Sequence, residues 1–365
     1  MHKLDWYILK RFLVTFFFCM MLFMVVAVAV DSSEKADDFV KTGLSTVQII
    51  KQYYFGFVPF IWGLLFPLFV FIAVIFFTSR MATRSEIIAI LASGTSYNRM
   101  LRPYFIGGLL LAVALWFGIR YLIPKANGIR SDFQTNYIDK NDPTKHNNDP
   151  ACRDCYYRRL DSVTYVGIRD YDTATMGASH FFMEKVKDDK VVYNLHANGI
   201  KWDPPTKKWK LTNVVERRVD SMREVTTVSP TMTLNIGLKP EELRKDEYLK
   251  DRLSTPALVA FIQREELRAT EGLNGLKVER YRRTATPFAV LLLTIIGTVI
   301  ASRKTRGGSG MHLAIGIIIA ALFIVSDRFS TVFATKGSFP PLLAAWLPNI
   351  VFSIVAFWMY KKTPK

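Results

Sequence analysis

The sequence predicts a membrane α-helical protein of six transmembrane helices, with an all-β, jelly-roll-like periplasmic domain inserted after the third. Three observations carry that expectation. Six uncharged, apolar runs punctuate the chain, a long polar insert with two-residue alternation separates the third from the fourth, and Lys and Arg gather in alternate short loops. Half of the residues are hydrophobic and 13% aromatic, yet the formal charge is +17; these features sit in different blocks instead of mixing as in a soluble globule.

The apolar runs are Phe12–Val30, Tyr53–Ser79, Pro103–Ile119, Ala285–Ala301, Gly307–Ser326 and Gly337–Tyr360. Each is long enough to cross a hydrocarbon core of ~30 Å as a helix. Lipid supplies no backbone partners, so every donor must be satisfied within its own segment, which makes helices the default. The basic start Met1–Arg11 and the small residues Ala27-Val28-Ala29 resemble a signal peptide with its cleavage site. The apolar stretch is long for that purpose and five more follow, so it reads as a retained span.

Orientation follows from the short loops. Lys3, Lys10 and Arg11 precede the first span, Arg80, Arg84, Arg99 and Arg102 join the second to the third, and Arg303, Lys304 and Arg306 join the fourth to the fifth. Lys361, Lys362 and Lys365 end the chain. The loop after the first span has four acids (Asp31, Glu34, Asp37, Asp38) against three lysines (Lys35, Lys41, Lys51). Both termini are therefore expected in the cytoplasm of a multi-pass inner-membrane protein, with the insert outside. The boundaries read as 1–123 for the first three spans, 124–255 for the β-domain, 256–283 for a helical return, and 284–365 for the last three spans.

Within the insert, Asn136–Pro150 reads as a loop. Val191, Tyr193, Leu195 and Ala197 alternate with polar neighbours, a turn follows at Asp203-Pro204-Pro205-Thr206, and Trp209, Leu211, Asn213 and Val215 alternate again. Several strands at this spacing suggest a small sandwich or jelly roll. Ser254-Thr255-Pro256 reads as a helix start with proline in the first turn, opening a helix over Ala257–Ala269. Gly272 and Gly275 are expected to break it before Leu276–Arg283 re-enters the membrane.

Catalytic signatures are sparse. No phosphate-binding Gly-x-x-x-x-Gly-Lys-Ser/Thr run occurs, Gly307-Gly308-Ser309-Gly310 lacks the lysine, and the five histidines form no His-Glu-x-x-His pair. His180 and His196 could meet in the sheet, as ordinary surface residues. Cys152 and Cys155 form Cys-Arg-Asp-Cys with no second ligand pair, so no metal site is expected; a local disulfide and two plain thiols both remain open. The chain reads as no enzyme. Movement of a substrate uphill would draw its energy from another subunit.

The connection Ser79–Pro103 is the most informative cytoplasmic segment. A short helix at about 83–95 begins at Arg84-Ser85-Glu86, runs through Ile87, and closes at Ala92-Ser93-Gly94, where Gly94 suits a left-handed cap. Glu86 fits the positive end of the helix dipole, as a plain cap or as a charged contact for a cytoplasmic partner.

Leu4-Asp5-Trp6-Tyr7-Ile8-Leu9-Lys10 resembles the opening of the LptF/LptG permeases of the lipopolysaccharide exporter. Arg84-Ser85-Glu86 with Ala92-Ser93-Gly94 is similar to that family's coupling helix, and Trp346-Leu347-Pro348-Asn349 to its motif in the last span. The resemblance covers nearly the whole chain, and the loop from Val30-Asp31 to Lys41-Thr42-Gly43 together with the short length is closer to the G-type subunit. It departs from that pattern at Glu34, Asp37-Asp38 and the Cys-x-x-Cys.

The resemblance implies a permease subunit of an ABC exporter. Its partners would be a cytoplasmic ATPase dimer, a second related permease and periplasmic β-jelly-roll bridge proteins, with lipopolysaccharide as substrate and no nucleic acid. The chain itself would bind no cofactor, ATP residing on the ATPase. Arg84, Ser85, Glu86, Ile87, Ala92, Ser93 and Gly94 would form the ATPase-coupling element. Spans one, two and five would line a cavity, and Asp31, Lys35, Lys41, Asp327 and Arg328 at their outer ends would meet an anionic glycolipid. Asp327 and Arg328 are neighbours in sequence, so their side chains point apart on a helix and should not pair with each other. Arg120 reads as a snorkelling anchor. The aromatic stretch Phe55–Phe71 suits an acyl cavity or a lipid-facing surface.

Two other classes compete. A membrane-anchored periplasmic binding or assembly protein without ATP coupling would need one anchor only and no coupling helix. A lipid-modifying enzyme would need acid–base or nucleophilic groups clustered at the outer surface, where only Asp31, Asp327 and Arg328 stand.

Overall fold

A computed structural model of the chain describes residues 3–138, 156–172, 175–187, 190–220, 223–237, 240, 249–267, 272–303 and 308–362. Cys152 and Cys155, with most of the predicted loop Asn136–Pro150, lie outside the described residues. Among the described residues six helices are long and apolar enough to cross a membrane: Lys3–Glu34, Thr46–Thr83, Tyr97–Ile138, Leu273–Ala301, Gly310–Lys336 and Pro341–Lys361, spans one to six below.

Each span overlaps one predicted apolar run, and most overrun it. A helix rises 1.5 Å per residue, so 29 residues in span four reach roughly 43 Å, past a ~30 Å core. The excess is polar and carries the chemistry. Span three continues through a π-helical turn at Gly118–Leu122 into Ile123–Phe133, beyond the boundary expected at residue 123. Span four starts at Leu273, with Glu279, Arg280, Arg282 and Arg283 already helical. Gly272, at φ +78°, supplies the expected break, but Gly275 sits inside span four; its φ is ordinary, so nothing there requires glycine to end a helix. The return helix forms at Thr255–Leu267, as the proline in its first turn suggested.

The chain divides into two compact units. The first comprises Met1–Ile138, Tyr248–Val259 and Asn274–Lys365, the second Asp139–Glu247 and Ala260–Leu273. In the first, spans one, two and three share a core of Ile8, Phe12, Phe16, Val70, Val74, Met100 and Tyr104. A second core joins spans two, four, five and six through Phe71, Ile75, Ile296, Ala320 and Phe352. Span two is thus packed on both sides. Spans one and five are the least covered: Phe17, Phe18, Met21 and Val25 on one, and Ile318, Leu322, Phe329 and Phe333 on the other, are exposed.

The inserted domain is all-β. Strands β1 (Tyr156–Arg159), β2 (Thr164–Arg169), β3 (Gly177–Ala178), β4 (His180–Lys187), β5 (Lys190–Asp203), β6 (Lys208–Asp220) and β7 (Arg223–Leu234) form one antiparallel, open sheet in the order β1-β2-β4-β5-β6-β7, with β3 beside β5. Its core gathers Val166, Ile168, Phe181, Leu195, Ala197, Ile200, Trp209, Leu211 and Val214.

The alternation predicted for β6 holds at Trp209 and Leu211 and then changes phase. Asn213 has φ +52°, so Val214 turns inward and Val215, expected inside, is 40% exposed. Asparagine is one of the few residues that tolerate that backbone, and period-two reasoning cannot anticipate it. His180 and His196 do not meet: His180 lies beside Ser179 and Asp170, while His196 sits opposite Phe182.

Candidate functional site

Two places concentrate polar chemistry in the membrane unit, and a third feature lies at the turn between spans two and three. That turn holds the short helix Glu86–Ala92. Ser85 adopts φ +60° to start it, and Gly94, at φ +84°, ends it as its sequence position suggested. Ile87 is 2% exposed and anchors the helix in the core of spans one to three. The opposite face leaves Ile88, Ala89 and Ala92 exposed, with Glu86 half-buried beside them, 4.0 Å from Arg84. The segment is a knob, held from one side and bare on the other.

The first polar site closes the C-terminal end of span one. The Lys35 ammonium lies 3.1 Å from Asp31 Oδ1, donates to the Tyr53 hydroxyl, and stands 4.5 Å from the centre of the Tyr53 ring. Tyr53 in turn donates to Asp31 at 3.0 Å. Phe39, Tyr54, Phe57 and Phe133 crowd around Tyr53. Lys35 is therefore held in a half-buried internal pair instead of standing free in a loop. Lys41 is the reverse, exposed and only 4.0 Å from the exposed Asp38, a pairing worth little in water.

The second is a cavity of about 470 Å³ among spans two to six. Its apolar wall includes Phe60, Leu64, Leu68, Ala289 and Phe323; its polar end is formed by Asn127, Lys250, Asp251, Glu279, Arg282, Arg283, Asp327, Arg328 and Asn349. Arg282 bridges spans four and five, donating to Asp327 at 3.0 Å and to Thr331 at 2.6 Å, with Glu279 at 3.8 Å on its other side. Asp327 thus pairs across to span four and not with Arg328, which is exposed and has no polar partner among the described residues. The Arg282 and Asp327 side chains are both partly buried, where an unpaired charge is costly, and the pairing offsets that cost.

Arg283, 6% exposed, does different work. It donates to the carbonyls of Lys250 at 2.7 Å and Leu253 at 2.8 Å and to Thr255 Oγ1 at 3.2 Å, while Glu279 lies 3.4 Å from its Nε. Asn127 of span three holds the same segment through the Asp251 carbonyl, and Asp132 pairs with Arg252 at 2.8 Å. The stretch before the return helix is thereby strapped to spans three and four. Burial raises the Asp251 carboxyl above its ordinary value, an effect that nearby Lys250 and the arginines oppose.

The Trp346-Leu347-Pro348-Asn349 motif turns out to be a docking device. Trp346 packs on Phe288 of span four with ring centres 5.7 Å apart, and buried Asn349 donates to the Ala285 carbonyl at 2.9 Å. Among the described residues no three His, Cys, Asp or Glu side chains converge as metal ligands.

Of the residues singled out in the sequence, the structure brings Asp327 and Arg328 to one cavity and Asp31 and Lys35 to one pair, and leaves Lys41 apart. Sequence reasoning missed Glu279, Arg282 and Arg283. The signal was present, since five residues from Glu279 to Arg283 include four charges abutting an apolar run.

Residues 6–362 match the lipopolysaccharide export system permease LptF/LptG family. The chain belongs to that family. It is similar to lipopolysaccharide export system permease protein LptG of Escherichia coli K12, 21% identical over 202 residues that cover 50% of this chain and 55% of that protein. LptG of E. coli O6:H1 matches to the same extent. The chain spans about half the length of the curated relatives it matches. As an LptF/LptG-type permease with six apolar helices, it fits a multi-pass inner-membrane protein.

Proposed function

We propose that this chain is the G-type permease subunit of an ABC exporter that extracts lipopolysaccharide from the inner membrane and passes it to a periplasmic bridge. The observation that carries this reading is the knob Glu86–Ala92 in a chain of this family. It is seated by Ile87 in the core of three spans, so a push on its bare face moves spans one to three together. Arg84, Ser85, Glu86, Ile87, Ala92, Ser93 and Gly94 build and cap it, and Glu86 with Ile88 offers a charge and an apolar contact to a cytoplasmic ATPase dimer. ATP is bound and hydrolysed there, and none by this chain.

The sparse cover on spans one and five supports their facing a second permease, with span two between them as the wall of a shared cavity. The basic short loops support a reading with both termini in the cytoplasm and the β-domain in the periplasm, where it would hand the lipid to the jelly-roll bridge. At the outer ends, exposed Arg328 and Lys41, the latter only weakly paired with Asp38, are the cations available to substrate phosphates. Asp31 and Lys35, bound to each other, shape the wall beside them, and Asp327 holds spans four and five together. A periplasmic anchor without ATP coupling would leave this knob without a role.

The test is ATP-driven release of lipopolysaccharide from proteoliposomes holding the assembled complex. Wild type should transfer lipid to a soluble β-jelly-roll acceptor only with ATP. Arg328→Gln combined with Lys41→Gln should lower the rate at least about tenfold, as expected for two lost charge-assisted contacts. Transfer at the wild-type rate without ATP would overturn the coupling, and an unchanged double variant would overturn the assignment of the cations.

A further inference from the structure

The cavity among spans two to six has features that its place in an exporter does not require. Its wall is apolar at one end and polar at the other, the form of a site for an amphipath, and about 470 Å³ falls in the range of small-molecule sites. Three of its buried polar atoms lack partners: Asn127 Oδ1, Asn349 Oδ1 and Arg282 Nε. Both asparagines are about nineteen-twentieths buried or more (5% and 3% exposed), and each has its amide nitrogen tied to a backbone carbonyl, leaving an acceptor unused. A buried acceptor without a donor is costly, so such atoms mark a place where a ligand's hydroxyl belongs.

The charges point the same way. Arg282 and Arg283 are committed to Asp327, Glu279 and the strap. Lys250 and Arg328 are both exposed; Arg328 has no polar partner among the described residues, and Lys250 makes no ion pair there, though it lies near the Asp251 carboxyl. Exposed Leu64 and Ile324 lie with Arg328 on the side facing out between spans two and five. Further along, those two helices close together, for a Cβ on Gly316 would meet the Ile75 side chain at 2.3 Å. The result is a slot with an apolar floor, an open side wall and two exposed cations at its mouth.

We propose that this slot binds one acyl chain of an anionic bilayer phospholipid with a hydroxylated headgroup, whose phosphate lies between Arg328 and Lys250 and whose headgroup hydroxyls donate to the Asn127 and Asn349 amide oxygens. One chain fits the volume and one phosphate fits the two exposed cations, whereas a multi-chain glycolipid exceeds both. The site is complete within a single subunit and needs only that the helices stand in a bilayer, so its test does not require the assembled exporter, although Arg328 serves both readings.

The test uses the full chain in nanodiscs with trace phosphatidylglycerol bearing a photoreactive group at the end of one acyl chain, followed by peptide mapping. Adducts are expected at the slot's floor, around Leu68, Leu293 and Ala320. Ile324→Trp, which crowds the mouth from an exposed position, and Ala289→Leu, which fills the floor, should each abolish them. Arg328→Gln should lower them about tenfold, the loss of one charge-assisted hydrogen bond. A diacylglycerol probe, lacking the phosphate, should label the floor as weakly as that variant. Adducts confined to outward faces such as Phe17 and Phe357, and unchanged in these variants, would overturn the site. Displacement of the probe by an equal mole fraction of lipopolysaccharide would overturn the assignment to phospholipid.

Discussion

Replacing Arg283 by Met keeps most of the side chain's apolar stem and removes every donor. In the native chain that guanidinium satisfies the carbonyls of Lys250 and Leu253 and the Thr255 hydroxyl, and it lies beside Glu279. The loss leaves two carbonyls and a carboxylate without their buried partner. Hydrogen bonds from a charged donor are worth ~1.5–3 kcal/mol each, but those sharing one group do not add. Breaking a buried pair from one side costs about 3–5 kcal/mol, and that is the expected loss for release of the strap. The fraction of time the segment is free should then rise by roughly a hundredfold or more. Tryptic cleavage after Lys250 and Arg252 follows that fraction when opening is fast. In mild detergent, Arg283→Met should be cut there far faster than wild type, with Arg283→Lys between the two. The exposed Arg264→Met should behave as wild type, within about 0.5 kcal/mol. Cleavage at the wild-type rate in Arg283→Met would refute the clamp.

Two further outcomes follow from the geometry. A Cβ at Gly56 would lie 2.5 Å from the Ala126 carbonyl and 2.6 Å from the Arg130 nitrogen, both backbone atoms, so Gly56→Ala must separate spans two and three; thermal unfolding should show a loss of about 1–3 kcal/mol, larger than for Gly316→Ala, where only the tip of Ile75 must give way. Burial holds the proton on Asp251 more tightly in the folded chain than in the unfolded one, so this group's contribution is best below its ordinary value of 3.8 and falls as pH rises through the raised folded value; Asp251→Asn should flatten the melting temperature against pH over that window, and an unchanged slope would contradict the burial.

The fold was legible because lipid leaves few choices. Six apolar blocks had to be helices, and the period-two stretches around Leu195 and Trp209 had to be strands. The polar extensions were harder, since Ile123–Phe133 and Leu273–Thr284 are helical through tertiary strapping by Asn127, Asp132 and Arg283 and not through apolar pattern. The phase change at Asn213 depends on a single left-handed residue. At the candidate site, the sequence placed Asp327 and Arg328 on different helix faces but could not show that Arg282, 45 positions away, is the partner of Asp327. Lys35 read as a loop lysine because its true neighbour, Tyr53, comes from the next span. The knob at Glu86 was legible because its cap, its apolar anchor and its charge are all local.

The most direct measurement is co-purification of the tagged chain from membranes under gentle solubilisation, comparing wild type with Glu86→Ala and Glu86→Lys. Wild type should bring down an ATPase and a second permease, and Glu86→Lys should lose the ATPase while keeping the permease, since only the bare face of the knob has changed. A wild-type chain that emerges alone, under conditions that keep other membrane complexes whole, would contradict a permease driven by a separate ATPase.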